Sequence, residues 1–478
     1  MELTLSLEGG GPLGPRLYSE LRKAILEGRL QAGDKLPSTR ELAWRLKIAR
    51  NTVSDAYERL AAEGYLGARQ GSGTFVHDHG TGAALDDLRG RAQLEPGFSP
   101  WACELGAVQP IVPIRDLPLD FRPGLPDLAN FPIDVWRRLA ARTLGRLSPR
   151  LALYGDPQGL SELRHEVARY LSHSRAVICS SDDVVITSGS QQALDLVGRM
   201  LITPGTRVVV EDPGYPMAKL AFAAMGAELA PVPVDEEGLR VELVPADAGM
   251  VYVTPSHQFP LGVPLSLERR KRLLEWAARR NAVVIEDDYD SEFRFGGRPL
   301  ECLQALDRAG SVIYLGTFSK VLFPGLRLGY MVVPRRMRER FVAAKWLTDR
   351  HTPALEQSIM AAFIAEGHFP RYLRRMQRIY GERQKALANA LRRRFGDVLQ
   401  LLPSHAGLHL SAWLPHGFDA EELISRAYEA GVGVYSVAPF FAGGGRPGLL
   451  FGYGACALLD IEEGVRRLSG IFDSMRHS

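Results

Sequence analysis

The stretch 312-VIYLGTFSKVLFPGLRLGY-330 decides the fold. Val312–Leu315 is an uninterrupted apolar run that is typical of a buried strand, and Gly316 ends it. Lys320 follows Gly316 by four residues, and Arg327 follows Lys320 by seven. In sheets of mainly parallel strands, binding groups lie just beyond the carboxyl ends of the strands. The stretch therefore predicts a strand that delivers an amine and a guanidinium to a binding site.

Apolar runs of this kind alternate with helix-like stretches from about Asp120 onward. Examples of these runs are Asp183–Thr187, Arg207–Glu211, Gly249–Thr254, Ala282–Glu286 and Ser311–Gly316. The helix-like stretches between them include Leu160–Leu171, Gln191–Leu201 and Leu267–Arg280. Such alternation predicts an α/β domain whose mainly parallel sheet is flanked by helices.

Polar residues follow several of these runs. Gly189-Ser190-Gln191 opens a helix after a strand, so its N–H groups are suited to hold a phosphate. Asp287 and Tyr289 follow Ala282–Ile285, and Tyr215 follows Arg207–Glu211. A site for pyridoxal 5′-phosphate (PLP) needs a lysine for the imine and an anion site for the phosphate. It also needs a carboxylate at the pyridinium nitrogen and an aromatic side chain against the ring.

Taken singly, each of these residues has an ordinary explanation: a surface lysine, a common helix start, a solvated acid or a packed aromatic. Five such signals in chain order, each at the carboxyl end of a different strand, favour the PLP site. Lys320 supplies the imine nitrogen in this interpretation, and Arg327 pairs with the phosphate.

Five motifs carry a resemblance to fold-type I PLP enzymes, the aspartate aminotransferase superfamily. They are YGDPQGLSELR, TSGSQQALDL, EDPGYP, EDDYDSEFR and GTFSKVLFPGLRLGY. The resemblance implies a PLP-dependent transferase fold with a smaller C-terminal α+β subdomain. It also implies that Lys320 forms the internal aldimine, that Asp287 pairs with the pyridine nitrogen, and that Tyr289 and Tyr215 contact the ring. The implied phosphate ligands are Ser190, Gln191, Thr317 and Arg327, with Tyr154 from the partner subunit, which implies a homodimer with shared PLP sites.

The chain departs from that superfamily at two places. TPSHQFPLG puts Phe259 where aminotransferases carry an Asn that bonds the ring oxygen, which argues against an optimised enzyme. His257 beside it is either a satisfied loop histidine or a residue near the cofactor. Arg446 matches by position the arginine that binds the substrate carboxylate, so we assign it to the effector carboxylate. Its glycine-rich surroundings equally fit a flexible surface loop.

A second pattern occupies the N-terminal region. Leu17–Glu27 has helical spacing, and Ser38 with Glu41 forms a capping box for the next helix. A helix from Arg50 to Glu63 follows after a short turn, and two strands then flank a glycine-rich wing. This order predicts a winged helix-turn-helix that binds DNA. The alternative is a small helical docking domain with a solvated basic face.

The segment 35-KLPSTRELAWRLKIARNTVSDAYERLAAEGYLGARQGSGTFV-76 is similar to the winged helix-turn-helix of the GntR family. The similarity implies contacts with operator DNA by Ser38, Arg40, Arg50, Thr52 and the wing around Gly73. A GntR-like head joined to an aminotransferase-like body, in this order, resembles the MocR group of regulators.

Length and composition indicate how many domains the chain has and which kinds of site it lacks. The chain has 478 residues, and at about 100–200 residues per domain it holds two to four. We expect a DNA-binding domain over residues 1–77, a Gly/Pro-rich linker over 78–119 and a PLP-binding effector domain over 120–478. Its four cysteines lie far apart, so neither a disulfide framework nor a metal site is supported. No long apolar run suggests a membrane span, and we expect a cytoplasmic protein.

The predicted function is a PLP-dependent transcription regulator. It would sense an amine, an amino acid or vitamin B6 (PLP itself) through an aldimine at Lys320, and its partner would be operator DNA. The alternative is a genuine PLP-dependent aminotransferase with an accessory N-terminal domain, and residual half-reaction activity stays open.

Overall fold

The computed structural model describes residues 11–69, 72–77, 102, 116–145, 148–296 and 301–476. The chain divides into two compact units, Met1–Phe98 and Ser99–Ser478. Most of the expected linker lies outside the described residues. The domain bounds 1–77, 78–119 and 120–478 therefore stay predictions.

The N-terminal unit is a three-helix head with a two-stranded wing. Its elements are α1 (Leu13–Leu26), α2 (Thr39–Leu46), α3 (Arg50–Ala62), β1 (Leu66–Arg69) and β2 (Gly73–Val76). The two strands pair antiparallel, with Leu66 opposite Val76. The apolar stripe of α3 (Val53, Ala56, Tyr57 and Leu60) is buried, as its helical spacing predicts.

The start of α2 forms half of the expected capping box. Ser38 Oγ accepts the backbone N–H of Glu41 at 3.2 Å. The Glu41 carboxylate instead pairs with Arg45 one helical turn away, at 2.5 Å. Both arrangements stabilise the helix start, because an acid in the first turn also meets the positive end of the helix dipole.

The larger unit holds the remaining elements. Its strands are β3 (Leu119–Asp120), β4 (Val184–Thr187), β5 (Arg207–Asp212), β6 (Glu228–Asp235), β7 (Gly238–Leu239), β8 (Met250–Val253), β9 (Val283–Asp288), β10 (Val312–Thr317), β11 (Gly329–Val332), β12 (Gln400–Leu401), β13 (His409–Trp413), β14 (Val432–Gly433), β15 (Tyr435–Ser436) and β16 (Gly448–Gly452). Its helices are α4 (Ile133–Gly145), α5 (Pro149–Ala152), α6 (Ser161–Arg175), α7 (Ser190–Leu201), α8 (Pro216–Ala224), α9 (Leu267–Arg280), α10 (Leu303–Leu306), α11 (Arg335–Asp349), α12 (Ala354–Ala365), α13 (His368–Phe395), α14 (Ala420–Glu429) and α15 (Leu458–Arg476). In the described part of the chain, no helix combines the length and apolar character that crossing a bilayer requires.

The main sheet has the strand order β4-β11-β10-β9-β8-β5-β6-β7. Strands β10, β9, β8, β5 and β6 run parallel, as predicted. Strand β11 runs antiparallel between β10 and β4. The segment between β10 and β11 holds no long helix, and without such a crossover a returning strand pairs antiparallel.

Both faces of this sheet are covered. Val208 and Val210 of β5 pack in one apolar cluster, and Val209 between them packs in another. Successive strand side chains point to opposite faces, so a continuous apolar run marks a strand that is buried on both sides.

A smaller α+β subdomain follows the main sheet. Its antiparallel sheet has the order β12-β13-β16-β15. Strand β14 of this part pairs in parallel with β3, with Val432 opposite Leu119, which joins the start of the unit to its end. This confirms the expected fold class.

Candidate cofactor site and DNA-binding surface

A cavity of about 350 Å³ opens at the carboxyl ends of strands β4, β5, β9 and β10. Eight residues that the sequence assigns to PLP line this one cavity. They are Ser190, Gln191, Tyr215, Asp287, Tyr289, Thr317, Lys320 and Arg327. Separate strands carry these residues, and their carboxyl ends bring them together at one edge of the sheet.

Lys320 projects into the cavity three residues beyond β10. Gly124 faces it with a φ of +75°, and a Cβ there would lie 2.8 Å from the Lys320 Nζ. The absence of a side chain at Gly124 thus leaves room for the amine. Burial lowers the pKa of Lys320, which favours the neutral, nucleophilic amine.

Strand β9 extends further than the sequence indicates. We expected the strand to end by Glu286, but it continues through Asp288 with all three acids buried. Each neighbour of Asp287 has its own partners: Glu286 accepts the N–H of Leu303 at 2.8 Å, and Asp288 pairs with Arg175 at 2.9 Å. Buried carboxylates are tolerated when they are paired in this way, so the strand continues.

Only one of the two carboxylate oxygens of Asp287 has a hydrogen-bond donor. The Tyr252 hydroxyl donates to its Oδ2 at 2.6 Å, whereas its Oδ1 is buried without a partner. Burial raises the pKa of Asp287 to about 6, although the Tyr252 hydrogen bond opposes the rise. A buried acceptor without a partner is costly, and a pyridinium N–H would supply the missing donor. The residues present fit PLP.

The opposite end of the cavity fits an anion. Gly189 caps α7 with a φ of +82°, and Ser190 and Gln191 begin the helix. The Arg327 guanidinium donates to the Ser188 carbonyl at 2.9 Å. A Cβ at Gly189 would approach that guanidinium to 3.0 Å. A helix N-terminus and an arginine thus meet here, and both bind phosphate.

Aromatic side chains surround the place for the ring. The Tyr215 ring meets Phe259 edge to face at 5.9 Å between centroids. The Tyr289 hydroxyl donates to the His257 carbonyl at 2.9 Å. Phe259, which the resemblance puts in place of the aminotransferase Asn, lines the cavity with an apolar ring.

The head presents a basic surface at the N-termini of α2 and α3. Ser38, Arg40, Arg50 and Gly73 are exposed, and Thr52 is half-buried. Arg40 and Arg50 line one depression together with Arg45 and Lys47. Gly73 has a φ of +113° and lies against the Lys35 side chain, which packs where a Cβ would stand. The surface suits the phosphates of a DNA groove.

Comparison with known proteins assigns each of the two units to a protein family. The family model described as "Bacterial regulatory proteins, gntR family" matches residues 13–76, and "Aminotransferase class I and II" matches residues 123–446. The chain is 37% identical to the probable rhizopine catabolism regulatory protein MocR of Rhizobium meliloti, over all of this chain and 97% of that protein. The chain belongs to the MocR-type regulators of the GntR family.

Two further relatives agree with this family. The pyridoxine biosynthesis transcriptional regulator PdxR of Corynebacterium glutamicum is 33% identical over 92% of this chain and 91% of that protein. The crystal structure of LysN, the α-aminoadipate aminotransferase of Thermus thermophilus in complex with N-(5′-phosphopyridoxyl)-L-leucine, matches with a TM-score of 0.70. The two sequences are 36% identical, and the match covers 75% of this chain and 93% of the LysN chain. This MocR-type protein is thus a PLP-dependent, effector-sensing regulator with a DNA-binding head.

Two sequence-assigned residues of the MocR-type regulator lie away from the cavity of their own chain. Tyr154 is 82% exposed and stacks under the Arg350 guanidinium at 5.2 Å. The Arg446 guanidinium lies 5.5 Å from the Trp413 ring centroid, and its buried Nε has no partner. Neither is among the residues that line the cavity. Their assigned roles stay predictions.

Sequence reasoning missed several groups of the MocR-type site. Tyr252, Asp290, His409 and Phe440 all line the cavity. Tyr252 stands within an apolar strand, and His409 and Phe440 come from the C-terminal subdomain, so no local pattern marks them. His257 is buried behind the lining, with Nδ1 3.0 Å from Asp290 and Nε2 3.2 Å from Ser404. This matches the satisfied loop histidine.

Proposed function

We propose that Lys320 carries the PLP of this regulator, and that the site senses a small amine, an amino acid or vitamin B6 itself. The observation that carries the proposal is the convergence of eight assigned residues on one cavity around the unpaired Oδ1 of Asp287. Bound PLP supplies an electrophilic carbonyl that captures amines covalently.

The chain's own residues bind and orient the cofactor in this proposal. Asp287 holds the proton on the pyridine nitrogen, and Tyr215 lies against the ring. The Tyr289 hydroxyl, which donates to the His257 carbonyl in this structure, would turn to donate to the ring oxygen instead. The phosphate is held by the N-terminus of α7, Ser190, Gln191, Thr317 and Arg327.

A homodimer with shared sites is part of the proposal. Tyr154 would reach the phosphate of the partner subunit, because its exposed ring lies away from its own cavity. Leu153 and Leu347 are also exposed, at 67% and 78%. Exposed apolar side chains of this size support a subunit interface. Two heads would then face two operator half-sites. A DNA partner also supports a cytoplasmic location.

Regulation requires a difference in affinity between two conformations. An effector that binds both conformations equally shifts nothing. The C-terminal subdomain contributes Phe440 and His409 to the cavity, so occupancy of the cavity is able to change how this subdomain packs. We infer that the change reaches the heads and alters their contacts through Ser38, Arg40, Arg50, Thr52 and the wing at Gly73.

The test measures the affinity for DNA with the cavity at Lys320 empty and with it occupied by PLP or an amine. Duplexes selected by the protein from a random library serve as probes, and fluorescence anisotropy reports their binding. We expect an amine or added PLP to change the affinity of wild type and not of Lys320→Ala. Equal responses of the two proteins would overturn the proposal.

The alternative, an aminotransferase with an accessory head, is favoured by the likeness to LysN. Phe259 opposes it, since an apolar ring takes the place in the sequence where aminotransferases carry the Asn that bonds the ring oxygen. Sustained turnover of an amino donor with a keto acid, many times per subunit, would establish the alternative. We expect at most a single half-reaction.

A further inference from the structure

Part of the cavity lining has no role in holding the cofactor. It consists of Met217, Phe259, Asp290, Leu408, His409 and Phe440. These residues come from the segment after β5, from the segments after β8 and β9, and from the C-terminal subdomain. Their chemistry decides which effector fits beside the cofactor.

Positive charge is scarce in this cavity. Of the lining residues that the structure describes, only Lys320 and Arg327 are cationic, and both are assigned to the cofactor. His409 is fully buried, and its Nε2 donates to the Pro260 carbonyl at 3.0 Å. Burial holds the pKa of His409 well below its ordinary value, so the ring is neutral. Its Nδ1 is then an acceptor, since the neutral ring carries one N–H.

Negative charge remains available. Asp290 is 2% exposed, lines the cavity and accepts from His257 Nδ1 at 3.0 Å. Asp290 also raises the pKa of Lys320, as Asp287 does, against the lowering effect of burial. Asp287 is assigned to the pyridine nitrogen, whereas nothing in the cofactor requires Asp290. The effector side of the cavity therefore offers a carboxylate and a neutral imidazole.

Aromatic rings complete this side. Phe259 meets the rings of Phe440 and His409 at centroid distances of 5.1 and 5.5 Å. Aromatic faces attract ammonium groups. A ligand carboxylate here would be desolvated beside Asp290 without a counter-charge, which is costly. An ammonium or hydroxyl group would instead meet acceptors.

We propose that the effector is a primary amine that carries a hydroxyl or a second amino group where an amino acid carries its carboxylate. The proposal rests on the proposed function, in which the first amine reacts at the cofactor on Lys320. It departs from the assignment of Arg446 to an effector carboxylate, because that side chain packs on Trp413 outside the lining.

Matched probes test the proposal on the full-length, PLP-loaded protein. 4-Amino-1-butanol and 1,4-diaminobutane are compared with 4-aminobutanoate, with the absorbance of the bound cofactor and DNA anisotropy as readouts. We expect the first two to act at concentrations at least tenfold lower than the carboxylate. Equal or stronger action of 4-aminobutanoate would overturn the proposed effector class and leave amine sensing intact. If no amine of either class acts, amine sensing fails together with the proposed effector class, and if added PLP also leaves DNA affinity unchanged, the proposed function fails.

Two substitutions test which residues cause the preference for an amine or hydroxyl group over a carboxylate. Asp290→Asn should bring the ratio of the affinity for 1,4-diaminobutane to that for 4-aminobutanoate closer to one. An unchanged ratio would contradict the role of Asp290. Because Asp290 is buried, that variant is paired with Met217→Arg, which adds a cation at a half-buried lining position. Met217→Arg should raise the affinity for 4-aminobutanoate at least tenfold. A folded variant without that gain would overturn the charge argument.

Discussion

The Tyr252 hydroxyl donates a 2.6 Å hydrogen bond to one oxygen of Asp287 and leaves the other oxygen buried and unpaired. Tyr252 thus orients the carboxylate that we propose pairs with the pyridine nitrogen, and its hydrogen bond favours the charged form of Asp287. The cofactor site depends on a residue that no sequence motif marks.

Tyr252→Phe should lower PLP affinity about tenfold, the scale of one hydrogen bond to a charged group. Absorbance titration of the cofactor-free protein measures this affinity. Tyr314→Phe is the matched control, because the Tyr314 hydroxyl donates to Asp288, which does not line the cavity. Equal losses in the two variants would show that Tyr252 acts only through stability.

PLP affinity should fall as the pH drops below about 6. Burial raises the pKa of Asp287 to about 6, so this carboxyl gains a proton as the pH falls through that value. The protonated carboxyl no longer pairs with a pyridinium, and the loss should approach about tenfold per pH unit. Asp287→Asn should bind PLP weakly with a flatter pH profile between pH 5 and 7. An identical profile in the variant would assign the dependence to another group.

Gly189→Ala should weaken PLP binding at the phosphate end. The added Cβ would approach the Arg327 guanidinium to 3.0 Å, in a backbone conformation with a φ of +82°. Gly205→Ala is matched in strain, with a φ of +86°, but its Cβ meets only the Glu228 side chain at 3.9 Å. Both variants should lose stability, and only Gly189→Ala should lose affinity for PLP and for inorganic phosphate as a competitor. Similar PLP affinity in the two would contradict the anion site.

Arg50→Ala should weaken DNA binding at least tenfold and reduce the salt dependence of binding, since one phosphate contact is lost. Arg59→Ala, also exposed but in the last turn of α3, should change little. Anisotropy with a selected duplex at several salt concentrations measures both. Unaltered binding by Arg50→Ala would remove the N-terminus of α3 from the DNA interface.

The sequence predicted five strands of the main sheet (β4, β5, β8, β9 and β10) within a few residues, because buried parallel strands are continuous apolar runs and turn residues bound them. It also found the residues that follow those strands, such as Ser190 and Tyr215. It did not predict the length of β9, since the burial of Glu286 and Asp288 depends on partners far along the chain. For the same reason Asp290 and His409 were missed, as their meeting depends on how the C-terminal subdomain packs.

Lys320 is the residue on which the proposed cofactor site depends most, because it would carry PLP covalently. Borohydride reduction of the PLP-loaded protein followed by peptide mass spectrometry tests this directly. We predict one phosphopyridoxyl group per chain, on the peptide that contains Lys320, and none in Lys320→Ala. A label on another lysine such as Lys219, or an unlabelled Lys320 in protein that binds PLP, would contradict the account.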